Sequence, residues 1–529
     1  MTGRRRQDGV LSARQHRSGG VLIAICGLAL LAFWAARHVL EVAEWNSETT
    51  SRLTAVWAGT FILFAIQVTL YHLDRPRRVS SVEQSRLDKL HVAILMPVYN
   101  EDPGFLRLGL ESFLQQSRLP NSVHVVDDGS FDKAANTPIT YAAVRDWFLS
   151  EAPRHGVQAT WQRTENQGKR HAQAAAVQKS MTADVYITVD SDSYLDPKAI
   201  EEILKPLSKR RVQSVAGVVI ATNNHGPQRP ARPSTRSHRR KASFAARRAR
   251  LRQLAHWRST QLMARTTDLW FVTSQMIDRG GQSTVGAVMV NSGPLAAYRG
   301  SVVRDNLGSY LNETFMGRGV AFSDDSMLTL YAQARGLTVQ QSSAIVFTAM
   351  PEKWSHFSRM YLRWMRGSTI RSIWRIRYLS LNRPAFWLHA MRWTQLVLTQ
   401  LITLWLLLVE PFAYGNRPPL TMLWIPFLLA YAQGLRYLGI VRTDERIRSR
   451  ALTWLMMPLA VIMAWTWFRY LRWYGVITCA RTGWGTRQNG AEVSLDGAPA
   501  APEPVYTKVL DPLDESTLKI PQIRLTSAS

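Results

Sequence analysis

Residues 184–197, DVYITVDSDSYLDP, run from an apolar, β-branched stretch straight into Asp190-Ser191-Asp192, two carboxylates one residue apart. At the end of a buried strand such a pair has two readings. Asp and Ser can satisfy free amides of a turn, with Asp196-Pro197 opening the next helix, or the two acids can hold a divalent metal. Two other apolar runs end in the same way: Val92 to Pro97 leads into Val98-Tyr99-Asn100-Glu101, and Val123 to Val126 into Asp127-Asp128-Gly129-Ser130. One acidic turn after a strand is commonplace. Three on the same edge of one sheet are harder to dismiss as turns alone.

The elements that must position these residues alternate. Val92 to Pro97, Val123 to Val126 and Val185 to Val189 read as short buried strands, separated by helical patterns at Pro103 to Gln116 and Ala172 to Lys179. This is an α/β domain with a mainly parallel sheet. In such sheets ligands lie beyond the carboxyl ends of the strands, where the polar motifs fall.

The 529 residues exceed one ordinary domain, and 46% hydrophobic content with 19 Trp is rich for a chain of net charge +27. Cys26 and Cys479 are the only cysteines and lie in or beside apolar runs, which leaves no disulfide framework and no Cys-based zinc site. Gly20 to Ala36 and Ala55 to Tyr71 are uncharged and approach the length of a membrane-spanning helix. The first has the basic start of a cleavable signal, but its core is long and no A-x-A-like site precedes the second. Basic residues flank the pair (Arg4, Arg5, Arg6 before; Arg75, Arg77, Arg78 after) and acids occupy the loop between, which places both flanks in the cytoplasm.

The expected organisation is a cytosolic N-terminus and two spans over 1–84, a cytosolic catalytic domain with interfacial helices over 85–385, C-terminal membrane helices over 386–480, and a loop and disordered tail over 481–529. Three further apolar stretches, Leu396 to Tyr414, Leu420 to Val441 and Ala451 to Ile477, supply those C-terminal helices. The last holds Pro458, Arg469 and Arg472, and so reads as one span plus an interfacial helix or as a kinked re-entrant segment. Within the soluble block, residues 225–252 carry ten Arg or Lys and no acid, a solvated basic insertion or one drawn to anionic lipid. No recognition module accompanies that charge, so no nucleic acid partner is expected.

PVYNED, VVDDGS, GKRHAQA, VDSDSYLDP, NSGPLAAYR, FSDDSMLT, RWMRGS and GWGTR follow one another in an order and spacing that resembles processive family 2 glycosyltransferases, in particular hyaluronan synthases and chitooligosaccharide synthases. The resemblance runs from about residue 90 to 487 and implies a GT-A, Rossmann-like fold and inverting transfer from a UDP-sugar. It also implies a multi-pass protein of the plasma membrane that exports the growing polysaccharide across the bilayer. Carried over residue by residue, it places Tyr99, Glu101 and Asp128, with Asp127 beside it, around uridine, Lys169 and Arg170 on the diphosphate side, and Asp190 with Asp192 at uridine and metal, Mg²⁺ or Mn²⁺. The chemistry agrees: cleaving a sugar–phosphate bond leaves negative charge on UDP, which a hard cation held by one or two carboxylates stabilises.

Inverting transfer also needs one carboxylate to take the acceptor hydroxyl's proton. By resemblance Asp325 is that base and Asp324 orients the site; a cap pair for a helix beginning near Met327 is the alternative, and the two roles can coexist. Arg363-Trp364 match the Arg-Trp of the family's Gln-x-x-Arg-Trp, near diphosphate and acceptor, with Met360 in place of the Gln and an amphipathic interfacial helix as the plainer reading. Ser323 and Ser326 stand where the family carries Gly and Arg. Trp484 and Arg487 match a gating loop over the nucleotide; a juxtamembrane anchor is the plainer reading. UDP-N-acetylglucosamine is the implied donor, joined by UDP-glucuronate if the product is hyaluronan; a chitin-like homopolymer is the alternative. A different class, a basic membrane protein binding nucleotide or nucleic acid without transfer, would lack the metal dependence.

Overall fold

The computed structural model describes residues 62–483 apart from 64, 68, 133–134, 222–243, 352, 416–424 and 440–445. The first expected span, most of the second, the larger part of the basic insertion, Trp484, Arg487 and the tail lie outside the described residues.

Eight strands form one sheet: β1 (Val92–Val98), β2 (Ser122–Asp127), β3 (Gln158–Arg163), β4 (Val185–Thr188), β5 (Ser193–Leu195), β6 (Val212–Ala221), β7 (Ala296–Arg299) and β8 (Leu337–Thr348), in the order β3-β2-β1-β4-β7-β6-β8-β5. The expected parallel arrangement holds from β3 to β4 and again between β6 and β8. Elsewhere the sheet is mixed, because β7 runs antiparallel to both β4 and β6, and β5 antiparallel to β8. β7 starts opposite the end of β4, with Ala296 paired to Thr188, so it enters from the ligand edge and runs away from it.

β1 is buried along its whole length, as a central strand covered on both faces must be. Its alternate residues divide between two cores. Ile94 and Met96 pack with Leu106, Leu110 and Phe113 of α1 (Pro103–Leu114), while Ala93 and Leu95 pack with Ala172 and Ala176 of α3 (Lys169–Gln178). Between them in sequence, α2 (Ala142–Glu151) adds Val144 and Phe148 to the first core. Register aligns the strand ends: Val98 pairs with Asp127, and Asp127 with Arg163.

A long helix, α4 (Phe244–Ser274), returns to the end of β6. There Asp268 accepts from Ala221 N at 3.1 Å, and the Gln275 amide both accepts from Val219 N and donates to Val219 O at 2.9 Å. The acid pair opens α5 (Asp324–Arg335), which starts three residues earlier than expected because Ser323 turns the chain in the left-handed region, φ 60°. Behind it run α6 (Trp354–Tyr378) and α7 (Pro384–Leu404).

Among the described residues one continuous helical stretch, Pro384–Ala413, is long and apolar enough to cross a membrane. After α8 (Ile425–Gly439), the pair α9 (Ile447–Trp454) and Met457–Ile477 qualifies only as a unit bent by 46°. Pro458 accounts for the bend, since it has no N–H to continue the helical bonding across Leu455 and Met456.

Candidate active site

The strand-end motifs meet in a cavity of about 770 Å³ whose wall includes Tyr99, Glu101, Asp128, Lys169, Asp190, Asp192, Asp324, Asp325, Arg363 and Trp364. Most are held before any ligand arrives. The Asp128 carboxylate accepts from Gln167 N and Gly168 N at 3.0 and 2.9 Å, fixing the loop that launches α3; Gly168 takes φ +95°, which a side chain would resist. Burial raises the Asp128 carboxyl above its ordinary range despite those bonds. Glu101 accepts from Ser191 Oγ at 2.8 Å and so links the β1 end to the β4 end.

Lys169, the first residue of α3, bridges the two halves of the site. Its Nζ lies 2.7 Å from Asp190 and 3.0 Å from Asp324. Burial works against the ammonium, but the two carboxylates more than offset it and raise its pKa. Asp324 is conversely pulled down: burial alone would raise it, and Lys169 outweighs that effect. Asp325 differs. Burial and the neighbouring Asp324 charge push its carboxyl up to about 6, and its Oδ1 accepts from Ser326 N at 2.6 Å. One acid of the pair is thus locked as an anion while the other is poised near neutrality, the condition for a general base. Gly367 of α6 lets this turn approach, because a Cβ there would collide with Ser323.

Asp190 and Asp192 fit a hard cation that takes its remaining ligands from phosphate and water. Asp192 accepts from Ser193 Oγ at 3.1 Å and Thr348 Oγ1 at 3.2 Å, and Gly293 leaves the space beside Asp190 that a Cβ would fill, 2.9 Å from Oδ2. Among the described residues no three of His, Cys, Asp and Glu converge into a protein-only cage.

Two expected site residues are not brought to the wall. Asp127 is buried at the foot of its turn, accepting from Ser130 N at 2.9 Å and pairing with Arg163. Arg170 turns away from the cavity and pairs at 2.7 Å with the buried Glu313. Successive helix residues diverge by about 100°, and Lys169 lines the cavity while Arg170 does not. Sequence reasoning in turn missed Arg279, which lines the cavity from a helical stretch without any chemical motif and donates to Gly217 O and Gln275 Oε1 at 3.3 Å. Ser292 and Gly293 also line it; their signal was the NSG tripeptide ahead of β7.

A second cavity, about 650 Å³, adjoins the first and shares Phe271, Ser274, Arg279, Val290, Trp364, Met365 and Ser368 with it. Trp270, Tyr361, Trp393 and Trp465 line it together with Arg375, Arg392, Arg469 and Arg472, and among the described residues Asp278 is the one acid in its wall. Arg469 and Arg472 therefore face this interior: Arg469 donates to Gln400 at 3.0 Å, and Arg472 lies 5.7 Å over the Trp393 ring.

The mixed sheet with carboxylates gathered beyond its strand ends is a GT-A fold, and similarity gives its family. The glycosyl transferase family 2 profile matches residues 93–269. The chain is 30% identical over 399 residues to hyaluronan synthase of Streptococcus pyogenes, covering 75% of this chain and 83% of that one. It is 25% identical over 429 residues to an N-acetylglucosaminyltransferase of Rhizobium meliloti, covering 78% and 84%. Among solved structures, the mannosyltransferase PcManGT of Pyrobaculum calidifontis, in complex with GDP-Man and Mn²⁺, superposes with a TM-score of 0.41 at 17% identity, covering 78% of this chain and 98% of that one. The chain belongs to the family 2 glycosyltransferases. It is a glycosyltransferase similar to hyaluronan synthases and N-acetylglucosaminyltransferases.

Proposed function

We propose that the protein is a membrane-embedded, processive, inverting glycosyltransferase that polymerises UDP-sugars and passes the product into the bilayer-spanning part of its own chain. The observation that carries this reading is the adjacency of two cavities that share Trp364 in their walls: one is walled by carboxylates, the other by indoles and guanidinium groups. The membrane placement rests on Pro384–Ala413, whose Leu401, Leu407, Leu408 and Phe412 are exposed as a lipid-facing surface would be.

In this reading Tyr99, Glu101 and Asp128 bind the uridine end and Lys169 the diphosphate. Asp190 and Asp192 hold Mg²⁺ or Mn²⁺, which would neutralise charge on the leaving diphosphate. Asp325 accepts the proton of the acceptor hydroxyl as that oxygen attacks the anomeric carbon; the carbon–oxygen bond to phosphate breaks, and its electron pair leaves on UDP. Trp364 offers a ring face to the acceptor sugar. Arg363 sits on the same turn of α6 towards the first cavity.

The cationic lining of the second cavity favours a carboxylate-bearing chain, as in hyaluronan, over a neutral N-acetylglucosamine homopolymer, because Arg279, Arg375, Arg392, Arg469 and Arg472 line it against one Asp among the described residues. Incorporation from labelled UDP-N-acetylglucosamine and UDP-glucuronate, singly and together, in proteoliposomes with Mg²⁺ or Mn²⁺ tests both points. Polymer that needs both donors supports the acidic product, polymer from the first alone supports the homopolymer, and no transfer from either overturns the reading.

A further inference from the structure

Behind the Ser323-Asp324-Asp325 turn lies a buried ionic cluster, none of whose members lines either cavity. Glu313 accepts from both terminal nitrogens of Arg371, with Nη2 at 2.7 Å, from Arg170 Nη1 at 2.7 Å and from Trp374 Nε1 at 3.1 Å. The same two arginines hold the main chain that leads into the acid pair. Arg170 donates to Phe322 O at 2.8 Å and Tyr310 O at 3.1 Å, and Arg371 donates to Ser323 O at 3.4 Å. The carbonyls of the two residues before Asp324 are thus clamped by guanidinium groups whose shared counter-charge is one carboxylate. The clamp has work to resist, because Ser323 sits in the left-handed region at φ 60°, a conformation a non-glycine residue keeps only where its surroundings impose it.

We propose that Glu313 is a positioning residue for transfer: by neutralising Arg170 and Arg371 it fixes the Phe322 and Ser323 carbonyls, and through them the place of Asp325 beside the acceptor hydroxyl. This rests on the reading of Asp325 as the base. With a neutral side chain at 313, two buried guanidinium groups lose their common anion, and Arg170 is drawn towards Asp324, whose carboxyl already lies in its field and is held by Lys169. The first turn of α5 then shifts. The uridine side is carried by other elements, since Tyr99, Glu101 and Asp128 stand at the β1 and β2 ends and none of them touches Glu313 or Arg371.

The test uses the full-length protein in lipid nanodiscs, with kcat, donor KM and UDP affinity measured for Glu313→Gln, Glu313→Asp and Arg371→Lys. Glu313→Gln is expected to lower kcat roughly 100-fold, the scale of a small misplacement of a reacting group, while donor KM and the Kd for UDP stay within about twofold. Glu313→Asp, which keeps the charge, regains about tenfold of the loss. If Glu313→Gln does not fold, Arg371→Lys carries the test, since it keeps the cation but loses the forked contact; it is expected to lower kcat with UDP affinity retained. Wild-type kcat in folded Glu313→Gln or in Arg371→Lys overturns the proposal, as does a parallel fall of kcat and UDP affinity. A fully active Asp325→Asn overturns the base assignment and this proposal together; an inactive Asp325→Asn beside a wild-type Glu313→Gln overturns this proposal alone.

Discussion

The two cavities are built on different principles. In the first, carboxylates stand at strand ends whose register is set by backbone pairing, and nearly every one is tied by an amide, a hydroxyl or Lys169. In the second, aromatic and guanidinium side chains project from helices and contact one another, as Trp270 does Phe468 and Tyr361. Rigid acids suit a reaction that needs atoms placed to a fraction of an ångström. Broad faces and long cations suit a chain that must bind at any of several positions and still move.

This contrast can be broken at either end. The largest effect is expected from Asp325→Asn and from Asp192→Ala, each lowering transfer by roughly 10³-fold, with insertion into membranes unchanged; sugar incorporation in proteoliposomes measures it, and wild-type rates would remove the chemistry from the first cavity. Next comes pH. Burial and Asp324 raise the Asp325 carboxyl to about 6, so the base is present above that value and is lost as pH falls through it. The kcat profile should drop about tenfold per pH unit on the acid side, and Asp325→Asn should flatten the profile.

A smaller effect is expected at the shared wall. Trp364→Ala should raise the acceptor KM roughly fivefold to tenfold, the worth of about 1–1.5 kcal/mol for one aromatic face, while donor KM holds; loss of donor binding instead would assign the Trp364 ring to the donor and not to the acceptor. Last, Gly367→Ala should cost about 1–3 kcal/mol through overpacking against Ser323, read as a lower unfolding midpoint together with reduced kcat.

The first cavity was largely legible in the sequence and the second was not. Apolar runs closing in Tyr99, Asp128 and Asp190 announce themselves, because a buried strand has few reasons to end in acids. β7 escaped notice because Ala296–Arg299 is short and rich in small residues, and its antiparallel course depends on where the preceding helix delivers it. Arg170 pairs with Glu313 and stands away from the cavity that Lys169 lines, because neighbours in sequence are not neighbours in direction on a helix. Glu313 and Arg279 carry no motif, and only the fold brings one beneath Ser323 and the other between the cavities.

The return of α4 onto β6 has a consequence for how this chain tolerates change. The Gln275 amide bonds Val219 at both N and O as a neighbouring strand would, and Asp268 takes the next free amide, Ala221 N, so both ends of the excursion are fastened to the sheet outside the basic run. Loop closure depends only weakly on length. A change in the number of residues between these two anchors is therefore expected to leave the catalytic register as it is.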